Sequence, residues 1–402
     1  MTASIRGSIV KSFLPSVYGA LPRFTGYTGC EPLISRCAQR TLVVRSRART
    51  AHTAFLHLGS RIFLSEEPTL AVFYDNPVLR NYWYAVATDL EVTSGPVART
   101  LLGEALVLYK DPQGRTIAAP DRCPHREAPL SAGSVDRGIL TCCYHGWRFG
   151  DGGQCVAIPS AEPGFPIPGN SHLSCFRSET KYGLVWVCLG EPVADIPTIV
   201  QEADPSFRRI NNPVQVWKVS ALRMTDNFLD IAHFPWVHVG TFGNGQETVV
   251  PKIKLEALSE GFFGYQYSVV ADNPPAASLT SGQDTADVNR QMSTGFHLPF
   301  AIRSTIDWDN GSDHILLLLS APIDDVTSLF TFVFWRNDDF SVSAEDLASF
   351  DRMIGEEDRV MLEKIPGVLP LEQGALASTQ SDKASTAWRL KFTQLLAGAS
   401  TE

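Results

Sequence analysis

The sequence predicts an α+β protein: a small antiparallel β domain over residues 76–191, then a second domain over 192–402 in which helices pack on an antiparallel sheet. Three observations lead there. Residues 76 to 190 are strand-like and punctuated by turns; Pro192 to Asp204 has two prolines and few large side chains, as a linker does; and residues 250–340 alternate strand-like runs with turn chemistry before helical patterns close the chain.

At 402 residues, 44% hydrophobic and 19% charged, the chain is long enough for two cores and has an ordinary globular composition. No apolar run approaches the ~20 residues of a transmembrane helix. The eight cysteines, Cys30, Cys37, Cys123, Cys142, Cys143, Cys155, Cys175 and Cys188, do not form a secreted disulfide framework, and a reducing compartment fits them.

Charge is unevenly placed. Residues 1–63 hold nine Lys or Arg against the single acid Glu31, leaving the rest of the chain at −17 against −9 overall. An Arg-rich, Ser/Thr-rich, acid-poor leader over 1–75 has the composition of an organellar transit peptide, and equally of a start assigned too far upstream. The first reading places the protein in an organelle matrix, the second in the cytoplasm. Nucleic-acid binding is disfavoured because no aromatic-interleaved patch accompanies the charge. Ordered structure is expected from Asn76-Pro77, ahead of the aromatic run Tyr82-Trp83-Tyr84.

Within the β domain, Leu101 to Tyr109 alternates apolar residues and leads into the turn Asp111-Pro-Gln-Gly114, and Tyr182 to Cys188 reads as another short buried strand. Between such strands the chain offers Cys123-Pro-His125 and, sixteen residues later, Cys142-Cys-Tyr-His145-Gly-Trp. A [2Fe–2S] centre with two Cys on one iron and two His on the other needs two short loops, each giving one thiolate and one imidazole. Zinc is the rival ion, but its loops usually pair like with like, whereas each loop here is mixed. Four unrelated buried side chains remain the third reading.

These residues resemble the Rieske domain, and specifically its oxygenase branch, whose second loop usually reads Cys-Pro-Tyr-His-Gly-Trp. Cys143 replaces the usual proline without changing the spacing and is expected as a buried free thiol. Respiratory Rieske proteins carry a further Cys in each loop; Ala128 and Tyr144 stand at those positions, so no bridge between the loops can form.

A second constellation is Asn227-Phe-Leu-Asp230-Ile-Ala-His233-Phe-Pro-Trp-Val-His238. On a helix, Asn227, Asp230 and His233 share one face, and the helix is expected to break at Pro235, letting His233 and His238 converge. Two His and one carboxylate form the facial triad of non-haem Fe(II) oxygenases. The segment resembles the Asn-x-x-Asp-x-x-His-x₄-His motif of Rieske oxygenase α subunits, which implies His233 and His238 as iron ligands and a helix-grip catalytic domain. Their third ligand is an Asp on a late helix. Asp358 matches best within Ser349 to Glu363, with Asp351 and Glu357 as alternatives, and a solvated helix face is the plain reading of that acidic stretch.

The resemblance implies a terminal oxygenase that hydroxylates or oxidatively demethylates a small aromatic or natural-product-like substrate with O₂. It further implies one Rieske cluster and one mononuclear Fe(II) per chain, a homotrimer, and Asp230 as the relay between a ligand imidazole and the neighbouring subunit's cluster. Asn227 is placed behind the ligands. Residues Arg223 to His238 and Ser381 to Leu390 look nearest to the α3 mono-oxygenases and demethylases. With no flavin, nicotinamide or ferredoxin fingerprint in the chain, electrons must come from a ferredoxin or an NAD(P)H-dependent reductase. The alternative function is an electron carrier or redox sensor. Phe262, Phe296, His297 and Trp308 lie where relatives line their pocket, but aromatics there are more often core than contact.

Overall fold

Three two-residue turns with left-handed backbone, at Leu102-Gly103, Arg137-Gly138 and Tyr182-Gly183, close hairpins of the first domain. The computed structural model describes residues 73–398 except 339, so the basic leader lies almost wholly outside the described residues. Strand β1 (Tyr84–Thr88) runs into a one-turn helix α1 (Asp89–Thr93), followed by β2 (Val97–Leu101), β3 (Glu104–Lys110) and β4 (Thr116–Pro120). The run from Leu101 to Tyr109 is therefore not one strand. Leu102 (φ 50°) and Gly103 (φ 74°) turn the chain so that Leu101 pairs with Glu104, the geometry of a primed hairpin turn. A leucine is a poor signal for positive φ, which is why the pattern hid the turn.

Next come β5 (Ser134–Asp136), β6 (Ile139–Thr141), β7 (Arg148–Phe149) and β8 (Cys155–Ala157), which pair in sequence as a four-stranded sheet. Strands β9 (Arg177–Lys181) and β10 (Leu184–Cys188), joined by another left-handed pair at Tyr182 and Gly183, complete a sheet in the order β1-β10-β9.

The second half adds β11 (Arg208–Asn211), β12 (Gln215–Trp217), α2 (Ala221–Phe228), α3 (Phe234–Val237), β13 (Glu256–Ala257), β14 (Phe263–Asp272) and α4 (Pro275–Ser281). Then follow β15 (Asp287–His297), β16 (Ala301–Trp308), β17 (Asp313–Pro322), β18 (Ser328–Arg336), α5 (Ala344–Leu362) and α6 (Lys383–Leu396). The eight strands form an antiparallel sheet ordered β11-β18-β17-β16-β15-β14-β13, with β12 also on β18. Among the described residues no helix is long and apolar enough to cross a membrane.

The unbroken apolar run Ile315 to Leu319 follows from β17 being covered on both faces. Leu316 and Leu318 line a cavity on one side of the sheet. Ile315, Leu317 and Leu319 pack on the other with Ala85, Leu184 and Trp186 of the first domain. The hairpin turn joins in, Leu102 N–H donating to Pro322 C=O at 2.8 Å and Gly103 N–H to Ile323 C=O at 2.9 Å. Each fully buried leucine contributes about 1.5–3 kcal/mol, so this seam is a core rather than a loose contact.

The helix expected to run to Pro235 stops earlier, at Phe228. The Asp230 carboxylate accepts from the backbone N–H groups of Ala232 and His233, both at 3.0 Å, and such local bonding competes with helix continuation. Pro235 instead sits in the first turn of α3, where a missing N–H costs nothing.

Candidate metal centres and the adjoining cavity

The two Cys/His loops are near copies of one another. Cys123 N–H donates to Ala128 C=O at 2.9 Å, and Cys142 N–H to Trp147 C=O at 2.9 Å, so each loop is closed five residues on. In each, the residue four after the cysteine donates back to it, Glu127 to Cys123 at 2.9 Å and Gly146 to Cys142 at 3.1 Å, and both adopt positive φ. Glycine suits that backbone and Glu127 tolerates it. The loops hang between β4 and β5 and between β6 and β7.

Their side chains converge. Cys123 and Cys142 are buried, and the His125 and His145 rings lie 4.5 Å apart between centroids. His125 stacks on Trp147 at 4.7 Å, and its Nδ1 is buried with no hydrogen-bond partner. A buried imidazole nitrogen left bare is costly unless an acceptor of its lone pair is present. Burial pushes the Cys123 thiol up to about 11, while the His125 and Arg126 N–H groups favour its thiolate. Two thiols and two imidazoles in this disposition fit a mixed-ligand cluster. Cys143, expected to be buried, is exposed, as are its neighbours Tyr144 and His145 at the loop tip.

In the second domain His233, His238 and Asp358 form a group whose ligand atoms all lie within 4.8 Å of one another. His233 Nε2 and His238 Nε2 are 3.1 Å apart, and Asp358 Oδ1 is 3.5 Å from each. Both Nδ1 atoms face carboxylates, His233 to Asp230 Oδ2 at 2.9 Å and His238 to Glu357 Oε2 at 2.9 Å. With protons held on the Nδ1 side, two Nε2 lone pairs and a carboxylate oxygen point at one spot, which suits a cation. Burial alone lowers His233, but Asp230 and Asp358 outweigh it and raise its value to about 9.

Asp358 is buried on α5 and takes a hydrogen bond from Asn227 Nδ2 at 3.0 Å. Of its two sequence alternatives, Glu357 reaches the opposite nitrogen of His238 and also accepts from the Thr241 hydroxyl at 2.7 Å. Asp351 lies two turns back on the same face, 3.4 Å from His314 Nε2. Sequence reasoning weighed Glu357 only as a ligand and missed Thr241. Gly243 was missed too: its N–H donates to His238 C=O at 2.8 Å, and a Cβ there would collide with the backbone of Phe234 and His238.

The triad opens into a cavity of about 780 Å³, mouth included, walled by Ile306, Leu316, Leu318, Phe330 and Phe332 of the sheet and Ile354 of α5. Period-2 alternation puts Arg290, Met292 and Thr294 of β15 on the same wall. Phe262, Phe296 and Trp308 are core residues outside this lining, as is the half-buried His297.

Comparison with known proteins matches the two halves separately. Residues 82–177 match the Rieske [2Fe-2S] domain, and residues 217–398 match the vanillate O-demethylase oxygenase C-terminal domain. The chain is 30% identical over 332 residues to the methylxanthine N3-demethylase NdmB of Pseudomonas putida, covering 78% of this chain and 89% of that one. It is 37% identical over 184 residues to the oxygenase component of dicamba O-demethylase of Stenotrophomonas maltophilia, 45% and 52% of the two chains. The solved structure of Pseudomonas putida CBB5 NdmA with caffeine superposes with a TM-score of 0.67 at 28% identity, covering 81% of this chain and 93% of that one.

Proposed function

Because this chain belongs to the Rieske oxygenase family as a terminal oxygenase (α) subunit, we propose that it oxidises a methyl or other C–H group of a small substrate held in the cavity beside His233, His238 and Asp358. The protein is a Rieske [2Fe–2S] and mononuclear iron enzyme with O₂ as co-substrate. Cys123, His125, Cys142 and His145 would hold the cluster, and His233, His238 and Asp358 the iron. With both groups bound, two electrons and two protons are consumed per O₂, one oxygen atom entering the C–H bond and the other leaving as water.

The chain's own residues prepare that event. Asp230 and Glu357 fix the two imidazoles by their far nitrogens, and Asn227 holds Asp358. The apolar wall excludes water and presses the substrate's apolar body toward the triad. A hydroxylated O- or N-methyl group would break down to formaldehyde, so hydroxylation and demethylation share this first attack. The observation that carries the reading is the intact triad at the end of an apolar cavity; an electron carrier needs neither.

Electrons would come from a ferredoxin or a NAD(P)H-dependent reductase. Asp230, which keeps contact with His233 while 22% of its side chain stays exposed, supports a relay to the cluster of a neighbouring copy. Such a head-to-tail contact is heterologous and closes as a trimeric ring. The test is anaerobic metal analysis followed by turnover with ferredoxin and reductase: about three Fe per chain and O₂ uptake coupled to product are expected, whereas about two Fe and no uptake mark a carrier. Sedimentation of a fully active monomer would remove the ring.

A further inference from the structure

One wall residue is out of keeping with the apolar cavity. Arg290 is 3% exposed, its Nε is buried without a hydrogen-bond partner, and no hydrogen bond or ion pair among the described residues involves its guanidinium. Its guanidinium carbon lies 4.7 Å from the Phe242 centroid. Phe242 also stacks on His238, with centroids 4.8 Å apart. The cation therefore stands one aromatic ring away from a metal-site imidazole, facing the same cavity.

A buried guanidinium without an ion-pair partner is expensive. Burial pulls Arg290 down to about 10, against the nearby Asp351 and Tyr267, so it stays charged near neutrality. Asp351 does not pair with it: among the described residues no carboxylate lies within 4.0 Å of the guanidinium, and Asp351 Oδ2 is itself buried without a hydrogen bond. A planar fork of donors aimed into a pocket matches a carboxylate. A dianion would bring two charges against one cation.

We propose that Arg290 anchors the substrate of this site by its carboxylate, which makes that substrate a small ring-bearing acid whose oxidised carbon lies about one ring's breadth from the acid group. The inference rests on the oxygenase reading for the word substrate, but the anchoring itself is a binding property.

The probes are 4-methoxybenzoate and its neutral counterpart 4-methoxybenzamide, titrated calorimetrically into the anaerobic holoenzyme. The acid is expected to bind at least tenfold more tightly than the amide. Arg290→Met should weaken the acid about 30-fold or more and leave the amide nearly unchanged, with Arg290→Lys between them. Arg290→Met should also raise the ligand-free melting temperature, because it removes an uncompensated buried charge, and should keep the electron paramagnetic resonance signals of both metal centres. Equal binding of acid and amide, an acid Kd above about 10 mM, or a variant that melts lower with its preference for the acid intact would each overturn the proposal. Arg290-dependent binding of the acid without any O₂ uptake would uphold the anchor and sink the oxygenase reading instead.

Discussion

Glu357 Oε2 lies 2.9 Å from His238 Nδ1, while the adjacent Asp358 places Oδ1 3.5 Å from Nε2 of the same ring. Two consecutive acids on α5 thus address opposite edges of one histidine, one as an orienting partner and one beside the nitrogen that faces His233. Removing the first should not resemble removing the second.

Glu357→Ala is expected to weaken iron binding by about 10- to 100-fold, the usual effect of losing the partner behind a ligand histidine. The visible spectrum of the cluster should be unchanged. Competition with a chelator, followed by iron analysis, measures this; unchanged affinity would show that Thr241 and the backbone hold His238 without help.

Asp358→Ala should remove one iron per chain, abolish O₂ uptake and spare the cluster spectrum. A spectrum that collapsed while that iron stayed would reassign the carboxylate.

Cys142→Ser should abolish the cluster spectrum, whereas Cys143→Ser, altering an exposed thiol beside it, should leave the spectrum intact. Absorption and electron paramagnetic resonance decide between the two neighbours directly.

Asp351 couples stability to pH in the direction opposite to most acids. Burial raises it to about 7 despite Arg336, Arg290 and Arg352 nearby, so between pH 4 and 7 the folded chain holds a proton that the unfolded chain has released. Stability must then fall as pH rises through that window. Asp351→Asn should accordingly raise the melting temperature more at pH 8 than at pH 5; an equal gain at both would mean the acid stays unprotonated.

Gly243→Ala should lower iron occupancy without touching any ligand, since the new methyl group displaces the backbone that carries His238. Iron analysis beside the cluster spectrum tests it.

The loops were legible because thiols and imidazoles at short spacing have few other uses. His233 and His238 stood out in one short motif, whereas only the resemblance put Asp358 ahead of Asp351 and Glu357, spacing alone leaving the three level; the strands β14 and β17 followed from their alternation or apolar density. What stayed hidden depends on contacts distant in sequence or on backbone sign. Glu357 is one of several acids on α5, and only the fold shows which edge of His238 it meets, 119 residues away. Asp230 diverts the chain from the helix that spacing suggested, because its carboxylate bonds two nearby N–H groups. Leu102 turns a hairpin with no glycine at that position to announce it. Arg290 was visible as a charged residue alternating with Met292 and Thr294, but nothing local said that this face was the inner one.

The seam between β17 and the first domain bears on how the protein can be cut and how it comes apart. Ala85, Leu184 and Trp186 share a core with Ile315, Leu317 and Trp335, so a fragment ending at residue 191 would present that apolar face to water and invite aggregation. Heat should melt the described body in one cooperative transition rather than two. Loading either metal centre then strengthens residues that never approach it, and the electron-accepting half is not a cassette that can be lifted out and used alone.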